Sequence, residues 1–234
     1  QEIRGRYDDY SNLEIDVNGD GRPDLISANY RSESIFWIEN PGPEASAAGQ
    51  SWPTHKVASP GPMETGRLYD IDGDGRLDLL PAGVKFSAWW SIEPADASTP
   101  GPQRTRGAEA GTRAAEPVWN RHPLPEQLIG HGIGFGDING DGRGDIVGVG
   151  GWAEAPEGRR AGRWVWHDDF RLHRDASIPI LVHDVEGDGD ADIVWGRGHQ
   201  TGLYWQEQTG EGWRQHTIDT EFSQYHSLLL ADLD

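Results

Sequence analysis

One nonapeptide is written four times: Asp16-Val-Asn-Gly-Asp-Gly-Arg-Pro-Asp24, Asp70-Ile-Asp-Gly-Asp-Gly-Arg-Leu-Asp78, Asp137-Ile-Asn-Gly-Asp-Gly-Arg-Gly-Asp145 and Asp184-Val-Glu-Gly-Asp-Gly-Asp-Ala-Asp192. A fifth copy opens at Asp232. The first aspartates are spaced 54, 67, 47 and 48 residues apart, a period that suits one small antiparallel sheet per repeat. After each ninth position comes a short apolar run: Leu25-Ile26, Leu79-Leu80, Ile146-Val147 and Ile193-Val194. Such runs between glycine-rich turns read as buried strands.

Each repeat then adds an aromatic segment (Ile35 to Ile38, Ala88 to Trp90, Arg163 to Trp166, Leu203 to Trp205). A last segment follows, with an aromatic three residues before a histidine: Trp52 and His55, Trp119 and His122, Phe170 and His173, Trp213 and His216. Counting the strand before each acidic loop, every repeat supplies four strands, the content of a propeller blade. The expected fold is all-β: a β-propeller of four-stranded antiparallel blades, forming one domain over 1–234. Blades are expected at about 8–58, 64–124, 130–174 and 177–219, with the start of a fifth at 225–234. Four blades and a fragment predict an incomplete ring, of about seven, whose remaining blades lie outside this chain. Pro-, Gly- and Ala-rich stretches at 41–51 and 94–115 read as insertions between third and fourth strands, the second one flexible.

The acidic loops present oxygen at positions 1, 3, 5 and 9, with the backbone carbonyl of position 7, which is the donor set of a hard cation such as calcium. The predicted ligands are Asp16, Asn18, Asp20, Arg22 and Asp24; Asp70, Asp72, Asp74, Arg76 and Asp78; Asp137, Asn139, Asp141, Arg143 and Asp145; and Asp184, Glu186, Asp188, Asp190 and Asp192. Arg22, Arg76, Arg143 and Asp190 would serve through their carbonyls. Glu186 adds a methylene that a tight loop must absorb, so the fourth site is expected to be the weaker one. An EF-hand is excluded, because position 12 is Ser27, Pro81, Gly148 or Trp195 rather than glutamate, and the flanks are strands.

The formal charge of −19 and the lack of a basic stripe argue against nucleic acid. There is no cysteine, and no apolar run long enough to span a bilayer. Solvent-facing calcium loops fill best where the ion is about millimolar, which points to the cell exterior or cell surface.

The acidic pattern resembles the FG-GAP/VCBS repeat of integrin α-like propellers, and Phe135-Gly136 reproduces its Phe-Gly element. That resemblance implies a propeller with calcium between the first two strands of each blade. It implies no single activity. His131-Gly-Ile-Gly-Phe-Gly-Asp137, Gly198-His199-Gln-Thr-Gly-Leu-Tyr-Trp205 and Ser223-Gln-Tyr-His226 look like the propeller of the aldos-2-ulose dehydratase family, which acts on oxidised sugars. If an enzyme, the chain would then be a carbon–oxygen lyase.

In an antiparallel blade alternate connections lie on opposite faces, so acidic loops and insertions share one face and the remaining turns share the other. On that second face, six residues before a motif aspartate, stand Glu64, His131 and His226. Fifteen residues after one stand Arg31, Lys85, Trp152 and His199. These groups suit a sugar or small polar ligand. His131, His199 and His226 are also candidates for catalysis or transition-metal binding. His55, His122, His173 and His216 recur once per blade and are assigned to packing and inter-strand hydrogen bonds. The functions that remain open are a carbohydrate-related binding or scaffold module, a keto-sugar dehydratase and a protein-adhesion propeller with a protein partner.

Overall fold

In each repeat the acidic nonapeptide reverses the chain between two strands, because its two Gly residues adopt left-handed conformations: φ is 72° and 82° in the first loop and 78° and 98° in the fourth. The computed structural model describes residues 9–93, 116–176 and 179–232. The insertion expected at 94–115 lies outside them. Blade one comprises β1 (Asp9–Ile15), β2 (Asp24–Asn29), β3 (Ile35–Ile38) and β4 (Thr54–Ala58). Blade two comprises β5 (Met63–Tyr69), β6 (Asp78–Gly83), β7 (Ala88–Glu93) and β8 (Val118–Pro123). Blade three comprises β9 (Ile133–Gly136), β10 (Asp145–Gly148), β11 (Gly151–Glu154) and β12 (Val165–His167). Blade four comprises β13 (Ile180–His183), β14 (Asp192–Gly196), β15 (Thr201–Thr209) and β16 (Gly212–Ser223).

Within every blade the strands pair in sequence order and antiparallel. The sequence is thus an all-β chain of propeller blades forming an incomplete ring. One helix interrupts it, α1 (Pro43–Ala47), inside the first insertion, where only a loop was expected; a proline at its first turn suits a helix start.

The apolar cores lie between blades. One joins Val17, Ile26 and Trp37 of blade one to Met63, Leu79 and Trp90 of blade two. A second joins Ile71, Leu80 and Trp89 to Ile133, Ile146 and Ala153, and a third joins Ile138, Val147 and Trp152 to Ile180, Ile193 and Trp195. The second residue of each of the first three acidic loops (Val17, Ile71, Ile138) is at most 2% exposed. Metal loop and inter-blade core are therefore built from the same few residues.

Blades three and four meet most closely, β9 pairing parallel to β13 through Gly134 with Ile180 and Phe135 with Leu181. The alternating glycines of Gly132-Ile-Gly-Phe-Gly136 make this possible. A Cβ at Gly132 would fall 2.4 Å from the Ala176 carbonyl oxygen, one at Gly134 2.1 Å from the Ile180 carbonyl oxygen, and one at Gly136 2.5 Å from the Val182 Cβ.

Blade three departs from the expected register. The Arg163 to Trp166 segment was expected to be its third strand and Phe170 to His173 its fourth. Instead β11 is the third, and the Trp166 segment forms the fourth, β12. Phe170 and Leu172 leave the sheet and enter the core. The cause is a shortened connection: only Val149 and Gly150 separate β10 from β11. The residues saved there reappear as a third insertion, 155–164, on the acidic-loop face.

Candidate functional site

Two constellations occupy opposite faces of the arc. On the first, each acidic loop is built by its own carboxylates. The first aspartate accepts the amide of the second loop glycine: Gly21 to Asp16 2.8 Å, Gly75 to Asp70 3.0 Å, Gly142 to Asp137 2.8 Å, Gly189 to Asp184 3.0 Å. The fifth accepts the amide of the seventh, as in Arg22 to Asp20 and Asp190 to Asp188, both 2.9 Å. The ninth aspartates (Asp24, Asp78, Asp145, Asp192) are at most 2% exposed. One oxygen of each accepts the amide of the second loop residue at 3.0–3.1 Å. In three blades the other accepts an amide just past or near the end of the third strand: Asn40 2.7 Å, Ala155 2.8 Å, Gln208 2.8 Å. This tie is absent from a reading that treats the ninth position only as a ligand.

The donor set fits a hard cation. Oxygens of Asp70, Asp72 and Asp78 all lie within 4.8 Å of one another. Burial, and then the charge of Asp72, push Asp78 up to about 7. Burial likewise raises Asp145 to about 6, and desolvation with the neighbouring Asp192 raises Glu186 to about 7. Crowded carboxylates that resist ionising are what a divalent cation relieves. The position-seven arginines do more than offer carbonyls. Arg22 and Arg143 fold back onto Asp20 and Asp141, and Arg76 onto Asp74 at 2.5 Å.

On the opposite face the structure brings together four of the predicted residues. His131 lies just before β9, His199 in the β14–β15 turn, His226 just after β16, and Glu64 in β5. Ring centroids are 4.9 Å apart for His131 and His199, 5.7 Å for His131 and His226, and 5.4 Å for His199 and His226. Glu64 Oε2 stands 3.9 Å from His131 Nε2. His131 Nδ1 is 3.3 Å from the Ala176 carbonyl oxygen, which can only accept; Nδ1 therefore carries the proton and Nε2 the lone pair. That Nε2 is buried without a hydrogen-bond partner. Burial, then the adjacent His131 and His199, hold His226 below its ordinary range.

Asp175 and Arg197, which sequence reasoning missed, adjoin this cluster. Arg197 Nε donates to Asp175 Oδ1 at 3.0 Å, and its Nη2 to Gln200 Oε1 at 2.6 Å. Although burial opposes it, hydrogen bonds from Arg197 and His173 lower the Asp175 pKa. The Asp175 carbonyl accepts the Gly198 amide at 2.8 Å, placing His199 beside the strand entry that holds His131. Arg31 and Lys85 stand exposed in the corresponding turns of blades one and two.

Trp152 does not join them. It is 5% exposed, stacks on His167 at 4.2 Å and donates from Nε1 to Asp169 at 3.0 Å. It is the third-strand tryptophan of its blade. Trp37 on His55, Trp89 on His122 and Trp205 on His216 are the same cross-strand stack, at 4.2, 4.0 and 4.5 Å. Two residues after each tryptophan a polar side chain meets that histidine: Glu39 3.1 Å, Ser91 3.0 Å, Glu154 2.8 Å, Glu207 2.6 Å. Packing was thus the right reading for His55, His122 and His216. In blade three His167 takes that role, and His173 instead pairs with Asp175. The signal that finds this is Trp-x-Glu or Trp-x-Ser, not the aromatic–histidine spacing.

Repeated four-stranded blades, each closed by an acidic loop, define a β-propeller of the binding or scaffold type. Residues 16–80 match the FG-GAP-like repeat, and the chain carries that repeat. No curated protein sequence matches it significantly. Two solved structures are similar. One concerns specific recognition of non-reducing terminal N-acetylglucosamine by an Agrocybe aegerita lectin: 20% identity and TM-score 0.44 over 91% of this chain and 52% of that one. The other is a Photorhabdus luminescens Tc holotoxin pore, with 17% identity and TM-score 0.31 over 96% of this chain and 12% of that one. The chain therefore spans about half the length of the first and about an eighth of the second.

Proposed function

We propose that this chain is part of a calcium-stabilised extracellular binding propeller that takes a small hydroxylated ligand, of the sugar class, at the face opposite its acidic loops. The convergence of Glu64, His131, His199 and His226 from blades two, three and four carries this reading. Such a group offers both donors and acceptors to hydroxyls. Calcium in the acidic loops acts on the fold rather than on the ligand. Binding at about 100 times Kd adds about 2.7 kcal/mol per site, so chelation should lower the melting temperature and added calcium restore it. A melting temperature indifferent to both refutes the calcium assignment. For the ligand, titration calorimetry against a monosaccharide panel should find one binder whose affinity falls at least about tenfold in His199→Ala and His226→Gln with melting unchanged. An empty panel refutes the sugar class.

A second reading is favoured by the free lone pair on His131 Nε2: dehydration of a keto-sugar. The imidazole takes the proton from the carbon next to the carbonyl as a carbon–carbon double bond forms, and the β-hydroxyl departs as water with a proton from a neighbouring acid. The three histidines could also hold a divalent metal to polarise the carbonyl. Growth of enone absorbance on incubation with a keto-sugar, lost in His131→Gln, distinguishes this activity from binding alone.

A further inference from the structure

The second acidic loop differs from the first and third in two respects. Position three is a carboxylate, Asp72, where the others carry Asn18 and Asn139. It is also the loop that Arg160 reaches from the blade-three insertion. Arg160 Nε donates to Asp72 Oδ2, Nη2 to Asp74 Oδ2 at 2.8 Å, and Nη1 to Glu93 Oε1 at 2.5 Å. Its neighbour Arg159 donates from Nη1 to the Ile71 carbonyl oxygen at 3.0 Å. His122 Nδ1 donates to the Arg160 carbonyl oxygen at 3.1 Å, which fixes the backbone from which the guanidinium extends. Room is left for the pair by Gly73, where a Cβ would come 2.9 Å from Arg159 Nη1.

An exposed ion pair contributes little to stability, so a single such contact would mean little. Here one guanidinium spans three carboxylates from two segments, and the Asp72 side chain is 5% exposed. Two of those three, Asp72 and Asp74, are the position-three and position-five oxygens a cation would need. Arg76 already takes Asp74 as well. A fixed positive charge at the ligand oxygens opposes a divalent ion there, and more strongly than in bulk water because the site is partly buried.

We propose that Arg160 is an intramolecular competitor of calcium at the second loop, so that the blade-three insertion is latched to blade two without calcium and released when that loop fills. This rests on the calcium reading of the acidic loops. Loop two is then the last of the first three to load, and its occupancy decides whether the insertion face between the blades is closed or open.

The test is a calcium titration of the full chain followed by backbone amide resonances. Gly21, Gly75 and Gly142 each donate to the first aspartate of one loop, so each reports one site. The Gly75 midpoint is expected at least about tenfold above those of Gly21 and Gly142, and Arg160→Gln should bring it down to theirs. A Gly75 midpoint that stays put or rises in Arg160→Gln overturns the proposal. Should that variant lose the dispersed Gly21 and Gly142 signals, Glu93→Gln is read instead, since Glu93 holds Arg160 without belonging to any loop. A partial fall of the Gly75 midpoint then supports competition, and no change overturns it. Silence of all three glycines overturns the calcium reading together with the latch, whereas movement of Gly21 and Gly142 with Gly75 insensitive to Arg160 overturns the latch alone.

Discussion

Replacing Gly134 by alanine tests how blades three and four are joined. The added Cβ would sit 2.1 Å from the Ile180 carbonyl oxygen, 2.9 Å from its carbon and 3.0 Å from its Cβ. None of these is the free end of a side chain, so relief requires β9 and β13 to part where Gly134 pairs with Ile180. Overpacking of this kind costs about 1–3 kcal/mol. Loss of one or two ladder hydrogen bonds adds about 1 kcal/mol each. For a chain of this size each kcal/mol lowers the melting temperature by about 2–4 °C, so a fall of roughly 5–15 °C is expected by circular dichroism with calcium present. Gly158→Ala is the control, because nothing lies within 4 Å of its added Cβ; it should stay within about 0.5 kcal/mol of the parent. If Gly134→Ala melts with Gly158→Ala, the close approach of the two inner strands is not what the glycines serve.

Trp152→Ala should cost about 3–5 kcal/mol as a buried aromatic, measured by urea denaturation, and Trp152→Phe should leave ligand affinity intact. Lost affinity at unchanged stability in the Phe variant would return this residue to the binding face. His226 has its folded pKa held below the ordinary 6.5, by burial first and then by His131 and His199. As pH falls the unfolded chain takes the proton first, so stability present above 6.5 is lost on descent through that value toward the folded pKa. The urea midpoint of the parent should therefore drop more steeply between pH 7.5 and 5.5 than that of His226→Gln; parallel profiles would refute this.

The blades were legible because the acidic nonapeptide marks the same reversal every time, and the short apolar runs behind it became β2, β6, β10 and β14. The mouth residues were legible for the same reason: counting from a fixed landmark places Glu64, His131, His199 and His226 on one face, where they meet. Counting failed where chain length shifts between elements. Trp152 stands fifteen residues after its aspartate because the turn before it is short, so position alone put it at the mouth; the Trp-x-Glu pattern would have put it in the stack. Arg160 was illegible because its partners are 67 to 88 residues away and no periodicity links them. Arg4, Arg6, Arg104, Arg106 and Arg113 lie outside the described residues.

The ninth aspartates have an evolutionary corollary. Asp24 and Asp145 bind, with one oxygen, the turn that precedes them and, with the other, the amide where an insertion departs, at Asn40 and Ala155. The root of each insertion is thus clamped to the stiffest part of its blade, and whatever follows can lengthen, shorten or acquire a helix such as α1 without strain reaching the sheet. One carboxylate per blade makes that rim a tolerant grafting point, where new contacts such as the one made by Arg160 can be tried while the opposite face keeps its geometry.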